Sequence, residues 1–345
     1  MVRFLLGPAG PHRQRTRLAA VEPVYGTVIR LTRLLWRAQG LKFTVTGVEN
    51  VPVTGGAVVA INHTSYFDFT FAGLPTYLQG RGRKVRFMAK QEVFDHKVTG
   101  PIMRSLRHIP VDRDSGAASF DAACLALKAG ELVGVYPEAT ISRSFELKEF
   151  KSGAARMAIA ADVPILPHIV WGAQRIWTKG HPRKMWRPKV PIFIAVGEPI
   201  QPTLPPTELT ALLRSRMQHL LEQVQDSYGP YPAGEFWVPH RLGGGAPTLA
   251  EAADLESAEA AEKAARRAQR DGPGTPGKQP WNPFSARWRS LPRWRSGRPG
   301  PRSPFKAWRT SRPTVAPSSR STTPATSTSC RPRWAPTCVN AASGS

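Results

Sequence analysis

Short apolar runs rich in β-branched residues alternate with longer helix-like stretches between residues 24 and 242. The pattern predicts six strands, over 42–46, 57–61, 85–89, 132–136, 165–170 and 191–196. It predicts helices over 67–78, 117–129, 152–161 and 207–226. Strands that alternate with helices are typical of an α/β domain with a largely parallel or mixed central sheet flanked by helices. Ligands of such sheets bind beyond the carboxyl ends of strands, so we expect the chemistry just after residues 61, 136 and 170.

Residues 24–38 carry apolar side chains at helical spacing, with arginines among them. Val24, Val28, Leu31 and Leu35 recur every three or four positions, which predicts an amphipathic helix ahead of the first predicted strand. A basic amphipathic helix that also contains a tryptophan, Trp36, either docks on a domain core or lies in a membrane interface. The sequence leaves both interpretations open.

The 345-residue chain carries 48 Lys and Arg against 24 Asp and Glu, a formal net charge of +24. This excess favours an anionic partner, and we expect an anionic membrane surface rather than a specific nucleic acid. No apolar run of about 18 residues predicts a transmembrane helix, and no secretory signal is expected. Three cysteines without a Cys-x-x-Cys pair predict neither a disulfide framework nor a metal site. The expected location is the cytoplasmic face of the cell membrane, bound peripherally.

Composition divides the chain into four predicted regions. Residues 1–23 form a basic N-terminal extension, 24–242 the α/β domain, 243–272 a Gly-rich linker with a solvated helix, and 273–345 a disordered tail. From residue 281 onward the tail has twelve basic residues and no acidic one. Two interpretations of the tail stay open, an Arg- and Trp-rich anchor for anionic ligands or the out-of-frame reading of a high-GC gene.

A His-Asp pair follows the predicted strand 57–61. His63 and Asp68 stand five residues apart in Asn-His-Thr-Ser-Tyr-Phe-Asp, residues 62–68. In an unbroken helix they would point about 140° apart, so they meet only if His63 precedes the helix and Asp68 opens it. Asp68 would then orient His63 as a general base. The alternative is a capping box in which Ser65, as the N-cap, and Asp68 only stabilise the helix start.

Three further blocks follow in order along the chain. Residues 108–113 end in Arg113, residues 136–142 read Tyr-Pro-Glu-Ala-Thr-Ile-Ser, and residues 163–167 read Val-Pro-Ile-Leu-Pro. Together with residues 62–68, these blocks resemble the glycerolipid acyltransferase family, that of 1-acylglycerol-3-phosphate acyltransferases. The resemblance covers roughly residues 24–228 and is specific through the joint order of the four blocks. It implies that residues 24–242 form a single acyltransferase domain.

The resemblance also implies roles for individual residues. His63 corresponds to the base of the family and Asp68 to the residue that orients it. The residues that correspond to the acceptor and phosphate pocket are Arg113, Glu138 and Thr140, with Lys90, Lys151 and Gly153 as weaker candidates. Backbone N–H groups near the helix start after Ser65 are the expected oxyanion donors.

Two positions depart from the family pattern. Ala139 stands where the family usually has glycine, and Ile141 stands where the family often has an arginine suited to phosphate. Arg143 replaces that cation only if its loop turns inward. The departures affect the identity of the acceptor more than the acyl-transfer chemistry.

The implied activity is transfer of a fatty acyl group from acyl-CoA or acyl-carrier protein to a lysophospholipid hydroxyl. The expected acceptor is 1-acyl-sn-glycerol-3-phosphate, which gives phosphatidic acid, and no metal or organic cofactor is expected. The alternatives are another lysolipid or glycolipid acceptor, and a lipid or thioester hydrolase that uses the same His-Asp pair on water. A non-catalytic binder of anionic lipid or nucleic acid is a third class.

Overall fold

A computed structural model of the protein describes residues 4–6, 23–80, 82–112 and 116–270, so Arg113 and the predicted tail 273–345 lie outside the described residues. Eight strands form one sheet. They are β1 (Phe4–Leu6), β2 (Lys42–Thr46), β3 (Ala57–Ile61), β4 (Val85–Lys90), β5 (Ile109–Val111), β6 (Leu132–Val135), β7 (Ile165–Trp171) and β8 (Pro191–Val196). The six predicted strands are confirmed to within one residue, whereas β1 and β5, of three residues each, were not predicted.

The strands lie in the order β1-β2-β8-β7-β3-β6-β4-β5. Every neighbouring pair is parallel except β7 and β8, which are antiparallel. The strands β1, β2 and β8 therefore run opposite to the other five. This mixed sheet with flanking helices confirms the predicted α/β class.

Nine α-helices belong to the described part of the chain. They are α1 (Pro23–Ala38), α2 (Asp68–Ala72), α3 (Leu74–Leu78), α4 (Gln91–Asp95), α5 (Thr99–Ser105), α6 (Gly116–Lys128), α7 (Gly153–Ala161), α8 (Pro206–Tyr228) and α9 (Leu249–Arg270). The predicted helices 117–129, 152–161 and 207–226 are confirmed as α6, α7 and α8. The single helix predicted over 67–78 is wrong, because Gly73 and Pro75 divide it into α2 and α3. A proline lacks the N–H that would continue the hydrogen-bond ladder.

Strand β3 lies between β7 and β6 and is buried along its whole length. Its alternate side chains enter two cores. Val58 and Ala60 pack on the side covered by α6, α7 and α8, and Val59 and Ile61 pack on the side of α1, α2 and α3. A continuous apolar strand of this kind indicates that both faces of the sheet are covered. The core thus fixes the end of β3, where the His-Asp segment begins.

Helix α1 docks on the core through one face and leaves the other exposed. Trp36 is buried and its ring lies 4.9 Å from that of Phe43 and 5.4 Å from that of Phe71, measured between centroids. Leu31 and Leu34 are more than half exposed on the same helix. The tryptophan therefore supports docking, while the leucines leave an apolar stripe facing outward. No helix in the described ranges is both long and apolar enough to cross a membrane.

The segment between α8 and α9 contributes to the core. Trp237, Val238 and Ala246 are buried in the core on the α8 side. Helix α9 follows, and its Glu256 and Glu259 form ion pairs with cations of preceding loops. Most described side chains of α9 are exposed, and these ion pairs are its main polar contacts with the rest of the domain.

Gly134 of β6 offers a stability test, because it lies directly opposite Phe87 of β4. A Cβ added at Gly134 would lie 2.7 Å from a Phe87 ring atom and 2.8 Å from a Val85 methyl. We predict that Gly134→Ala lowers the free energy of unfolding by about 1–3 kcal/mol through overpacking. Urea unfolding measures the change. The matched variant Gly26→Ala in α1, where an added Cβ meets nothing within 4 Å, is expected to lose no stability. Equal effects of both substitutions would contradict the packing explanation.

Candidate active site

The carboxyl ends of β7, β3 and β6 lie side by side at one edge of the sheet. Asn62, the first residue after β3, fixes this edge. Its side-chain amide donates to the carbonyl of Val170 at 3.1 Å and accepts the N–H of Val170 at 2.7 Å. The side chain of Asn62 therefore continues the β3–β7 pairing beyond the strand and sets the position at which His63 leaves the sheet.

His63 and Asp68 meet in the way that the spacing requires. His63 lies in the loop after β3, Asp68 is the first residue of α2, and Nδ1 of His63 lies 3.0 Å from Oδ2 of Asp68. The carboxyl group is fully buried, whereas the imidazole keeps 19% of its side-chain surface exposed. Burial raises the pKa of Asp68, and the hydrogen bond from His63 opposes that rise. The pair therefore joins a buried acid to an accessible base.

The same carboxylate oxygen fixes the histidine tautomer. Oδ2 of Asp68 accepts the backbone N–H groups of Thr64 and Ser65, both at 2.8 Å. An oxygen that receives two N–H donors acts as an acceptor, so Nδ1 of His63 carries the hydrogen that it donates to Oδ2. The lone pair of the ring is then on Nε2, the nitrogen turned away from Asp68. The geometry supplies an oriented general base.

Ser65 departs from the predicted N-cap. Its hydroxyl accepts the N–H of Phe67 at 3.1 Å and donates to the carbonyl of Trp177 at 2.7 Å, while the carboxylate of Asp68 accepts the N–H of Ser65. Only the second half of the capping box is present. Orientation of His63 and stabilisation of the turn, which the sequence presented as alternatives, are carried out by one oxygen atom.

The loop after β6 holds His63 from both sides. Oε1 of Glu138 accepts the N–H of His63 at 2.8 Å, and the N–H of Ser142 donates to the carbonyl of His63 at 2.7 Å. The ring of Tyr136 stacks on the imidazole with centroids 4.0 Å apart. The second oxygen of Glu138 accepts the N–H of Lys148 at 3.2 Å. The buried carboxylate of Glu138 thus links the backbone of His63 to the backbone of Lys148.

The two departures from the family pattern take different structural forms. Ala139 adopts a left-handed backbone with φ of 63°, a conformation that glycine adopts without steric cost. Ile141 is buried, so position 141 presents an apolar side chain to the core and no cation to a substrate. The guanidinium of Arg143 pairs with Glu259 of α9 at 3.0 Å.

The remaining residues predicted to bind the acceptor differ in their distance along the fold from the His63 loop. Thr140 lies in the Glu138 loop, and its hydroxyl accepts a hydrogen bond from the ammonium of Lys148 at 2.5 Å. Lys90 ends β4, two strands away from β3 in the sheet. Lys151 is exposed, and Gly153 begins α7 where an added Cβ would meet nothing within 4 Å. Thr140 therefore belongs to the loop that contacts His63, whereas Lys90 and Gly153 belong to other elements.

Sequence reasoning missed Asn62, Tyr136 and Lys148 as site residues. Asn62 and Tyr136 were inside the quoted blocks, and the position directly after a buried strand was the signal for Asn62. Lys148 carried no local signal because it lies ten residues after Glu138 and is brought back by an irregular loop. In the described residues, no group of three His, Cys, Asp or Glu side chains is placed to hold a metal ion.

The expected oxyanion donors near Ser65 are engaged inside the protein. The N–H groups of Thr64 and Ser65 donate to Asp68, and the N–H of Tyr66 donates to the carbonyl of Trp177 at 3.2 Å. The N–H of Phe67 donates to Ser65. The expectation is therefore wrong for these groups, because they build the turn that carries Asp68.

The burial of Glu138 should make the stability of the folded protein depend on pH. Burial raises the pKa of Glu138 from 4.5 to about 7. Above pH 4.5 the unfolded chain therefore releases a proton that the folded protein retains, and stability falls as the pH rises towards 7. We predict that, between these pH values, the wild type loses about 3 kcal/mol relative to Glu138→Gln, which does not titrate there. Chemical unfolding of both proteins across this pH range measures the difference, and parallel stability curves would contradict it.

Comparisons with known proteins find relatives that are named as acyltransferases. Residues 42–171 match the family model described as Acyltransferase. A 1-acyl-sn-glycerol-3-phosphate acyltransferase of Bacillus subtilis is 26% identical over 186 residues, which cover 52% of this chain and 85% of the relative. An enzyme of the same name from Borreliella burgdorferi is 29% identical over 150 residues, which cover 42% of this chain and 57% of the relative. The crystal structure of the 1-acyl-sn-glycerophosphate acyltransferase of Thermotoga maritima superimposes with a TM-score of 0.48 and 22% identity, covering 62% and 86% of the two chains.

The matched range contains the main parts of the site. It begins at the first residue of β2 and ends at the last residue of β7. The His63–Asp68 pair and the Glu138 loop both lie inside it, as does Asn62. Through residues 42–171, the chain is thus similar to the acyltransferase family.

Proposed function

We propose that the protein transfers a fatty acyl group from a thioester, acyl-CoA or acyl-carrier protein, to the hydroxyl of a lysophospholipid. The proposed acceptor is 1-acyl-sn-glycerol-3-phosphate and the product phosphatidic acid. The observation that carries the proposal is the hydrogen bond from Nδ1 of His63 to the buried Asp68, which leaves Nε2 for a substrate hydroxyl. The named relatives from Bacillus subtilis and Borreliella burgdorferi support the choice of acceptor.

The proposed chemistry needs no redox partner. Nε2 of His63 takes the proton of the acceptor hydroxyl while that oxygen attacks the thioester carbonyl carbon. Asp68 holds the imidazole in position and stabilises the imidazolium that forms. Collapse of the tetrahedral intermediate breaks the carbon–sulfur bond, and the leaving thiolate takes the proton from the imidazolium. An ester and a free thiol are the products.

An apolar groove beside α2 suits an acyl chain. It lies between α1 on one side and α2, α3 and β4 on the other, and its apolar lining includes Val28, Phe69, Leu74 and Phe87. Helix α2 begins with Asp68, so the groove adjoins the catalytic pair through a single short helix. Apolar walls favour a fatty acyl chain through removal of its surface from water.

A surface patch at the site edge suits a bilayer. Leu34 and Arg37 of α1 lie next to Trp186 and Arg187 of the loop between β7 and β8, and Trp186 is 84% exposed. A tryptophan among cations is typical of contact with anionic headgroups. The C-terminus of α1 enters β2, which starts at the same edge as the end of β3, because β2 runs opposite to β3. We propose peripheral membrane association through this patch.

The catalytic role is tested by two variants. His63→Ala is expected to lower kcat by at least about 10²–10⁴-fold, since it removes the general base. Asp68→Asn is expected to remain folded, because its carbonyl can replace Oδ2 while its amide nitrogen takes the position of Oδ1, which has no partner. It should still lose turnover, because the negative charge behind the imidazole is gone.

The measurement is thiol release from acyl-CoA with and without 1-acyl-sn-glycerol-3-phosphate, together with circular dichroism. His219→Ala, at an exposed position of α8, is the control and should retain wild-type turnover. Thiol release that does not depend on the acceptor would favour the hydrolase alternative. Normal turnover of both site variants would contradict the pair as the catalytic centre.

The membrane patch is tested by vesicle binding. Trp186→Ser is expected to weaken binding to vesicles of anionic phospholipid by about tenfold, since it removes an exposed aromatic anchor. Rising salt should weaken binding of the wild type, because each basic residue near the surface contributes about 1 kcal/mol. Leu125→Ser is the matched control, since Leu125 is 70% exposed on α6, on the other face of the sheet. Equal loss in both variants would contradict the assigned patch.

A further inference from the structure

Three cations beside the catalytic pair are covered by the acidic side of α9. Nζ of Lys148 lies 2.9 Å from Glu256, and Nη2 of Arg143 lies 3.0 Å from Glu259. Nζ of Lys179 lies 2.6 Å from the same oxygen of Glu259. Each of the three cationic side chains keeps 20% or less of its surface exposed. We call Arg143, Lys148 and Lys179 the cation cluster.

The loops that hold the catalytic segment also place the cation cluster. Lys148 donates its backbone N–H to Glu138, which in turn accepts the N–H of His63. Arg143 follows Ser142, which donates to the carbonyl of His63. On the other side, Lys179 follows Thr178, whose hydroxyl donates to the carbonyl of Thr64 at 2.7 Å. The cluster is therefore fixed relative to His63 by hydrogen bonds from two separate loops.

The cluster has donor capacity that α9 does not use. Three cations face two carboxylates, and the buried Nε of Arg143 has no hydrogen-bond partner. Lys148 also donates to the hydroxyl of Thr140 at 2.5 Å. A buried guanidinium N–H without an acceptor is costly, and an anion with three oxygens could accept it together with the other donors of the cluster.

We propose that Arg143, Lys148 and Lys179 form a binding subsite for a phosphate monoester, and that Glu256 and Glu259 of α9 occupy it until the phosphate displaces them. The inference rests on the proposed function in so far as the substrates of that reaction supply the phosphate. The cluster also supplies a cation for phosphate although position 141 holds isoleucine and not arginine. A cluster assembled from two loops takes the place of an arginine at that position.

The phosphate monoester carries about as much negative charge as the two carboxylates that it would displace. A phosphate monoester carries about −1.5 to −2 charges at pH 7 and offers three acceptor oxygens, whereas the two carboxylates carry two charges on separate side chains. Hydrogen bonds from Lys179 and the other cations around it lower the pKa of Glu259 to about 2, so that this carboxylate is ionised when it competes. The phosphate therefore replaces the carboxylates without leaving the cations unpaired.

Helix α9 is suited to being displaced. Ala252 is its only buried side chain among those described, and the rest of the helix is exposed or half-buried. The residues before it stay fixed, because Gly244, Gly245 and Ala246 donate backbone hydrogen bonds to Pro239, Glu235 and Val238, so the proposed displacement begins after Ala246. A helix with few buried apolar contacts opens at low free energy. Its attachment thus depends on the ion pairs that the ligand would replace.

The experiment uses the full chain and does not require acyl transfer. Binding of inorganic phosphate, sn-glycerol 3-phosphate and CoA is measured by calorimetry for the wild type and for the double variant Glu256→Gln/Glu259→Gln. The double variant should bind the phosphate probes about tenfold more tightly, because the competing carboxylates are gone. Glu262→Gln is the matched control, since Glu262 pairs only within α9, with Arg266, and should bind like the wild type. Lys179→Gln should weaken binding in both backgrounds.

Hydrogen–deuterium exchange of residues 249–266 supplies an independent readout. Saturating phosphate probe should increase exchange there in the wild type, because α9 leaves the cluster. A response to sn-glycerol 3-phosphate identifies the acceptor headgroup as the source of the phosphate, and a response to CoA alone identifies the donor. Unchanged affinity in the double variant together with unchanged exchange for all three probes would overturn the proposal. Loss of activity in His63→Ala with intact probe binding would separate this subsite from the catalytic proposal.

Discussion

The site depends on one oxygen atom, Oδ2 of Asp68. Three N–H groups converge on it, from the ring of His63 and from the backbone of Thr64 and Ser65. The backbone donors shape the turn from β3 into α2, and the ring donor orients the base. Because one acceptor serves both purposes, the position of the histidine is determined by the turn that delivers it. The buried environment strengthens these bonds while keeping water away from the carboxyl group.

The larger elements were predictable because their patterns are local. Buried strands such as β3 and β7 are short apolar runs, and the long helix α8 has a regular stripe. The convergence of His63 with Asp68 also followed, since helical geometry excluded every arrangement except a loop followed by a helix start. The resemblance to acyltransferases then indicated the Glu138 loop, which the structure places against His63.

The parts that escaped prediction depend on contacts distant in sequence. Helix α9 has an unremarkable alanine- and charge-rich sequence, and only the folded loops reveal that Glu256 and Glu259 face cations more than 70 residues away. The break between α2 and α3 was a failure of a different kind. Gly73 and Pro75 were visible, but the apolar periodicity across them outweighed the local signal. The positions of Lys90 and Lys151 relative to the His63–Asp68 pair could not be predicted, because they depend on the order of strands in the sheet. The spacing of apolar residues along the chain does not specify that order.

The antiparallel pairing of β7 with β8 has a mechanical consequence. A parallel successor to β7 would need a crossover that returns the chain to the far edge of the sheet. The reversal keeps residues 172–190 at the edge where β7 ends, so one continuous segment carries both Lys179 and Trp186. The proposed contact of Trp186 with a bilayer would restrain the backbone seven residues before it, where the ammonium group of Lys179 meets Glu259. The same segment of backbone therefore links the proposed lipid contact to the proposed phosphate subsite. The kinetic behaviour expected of such a link is interfacial activation, a rise in turnover when the enzyme binds a lipid surface.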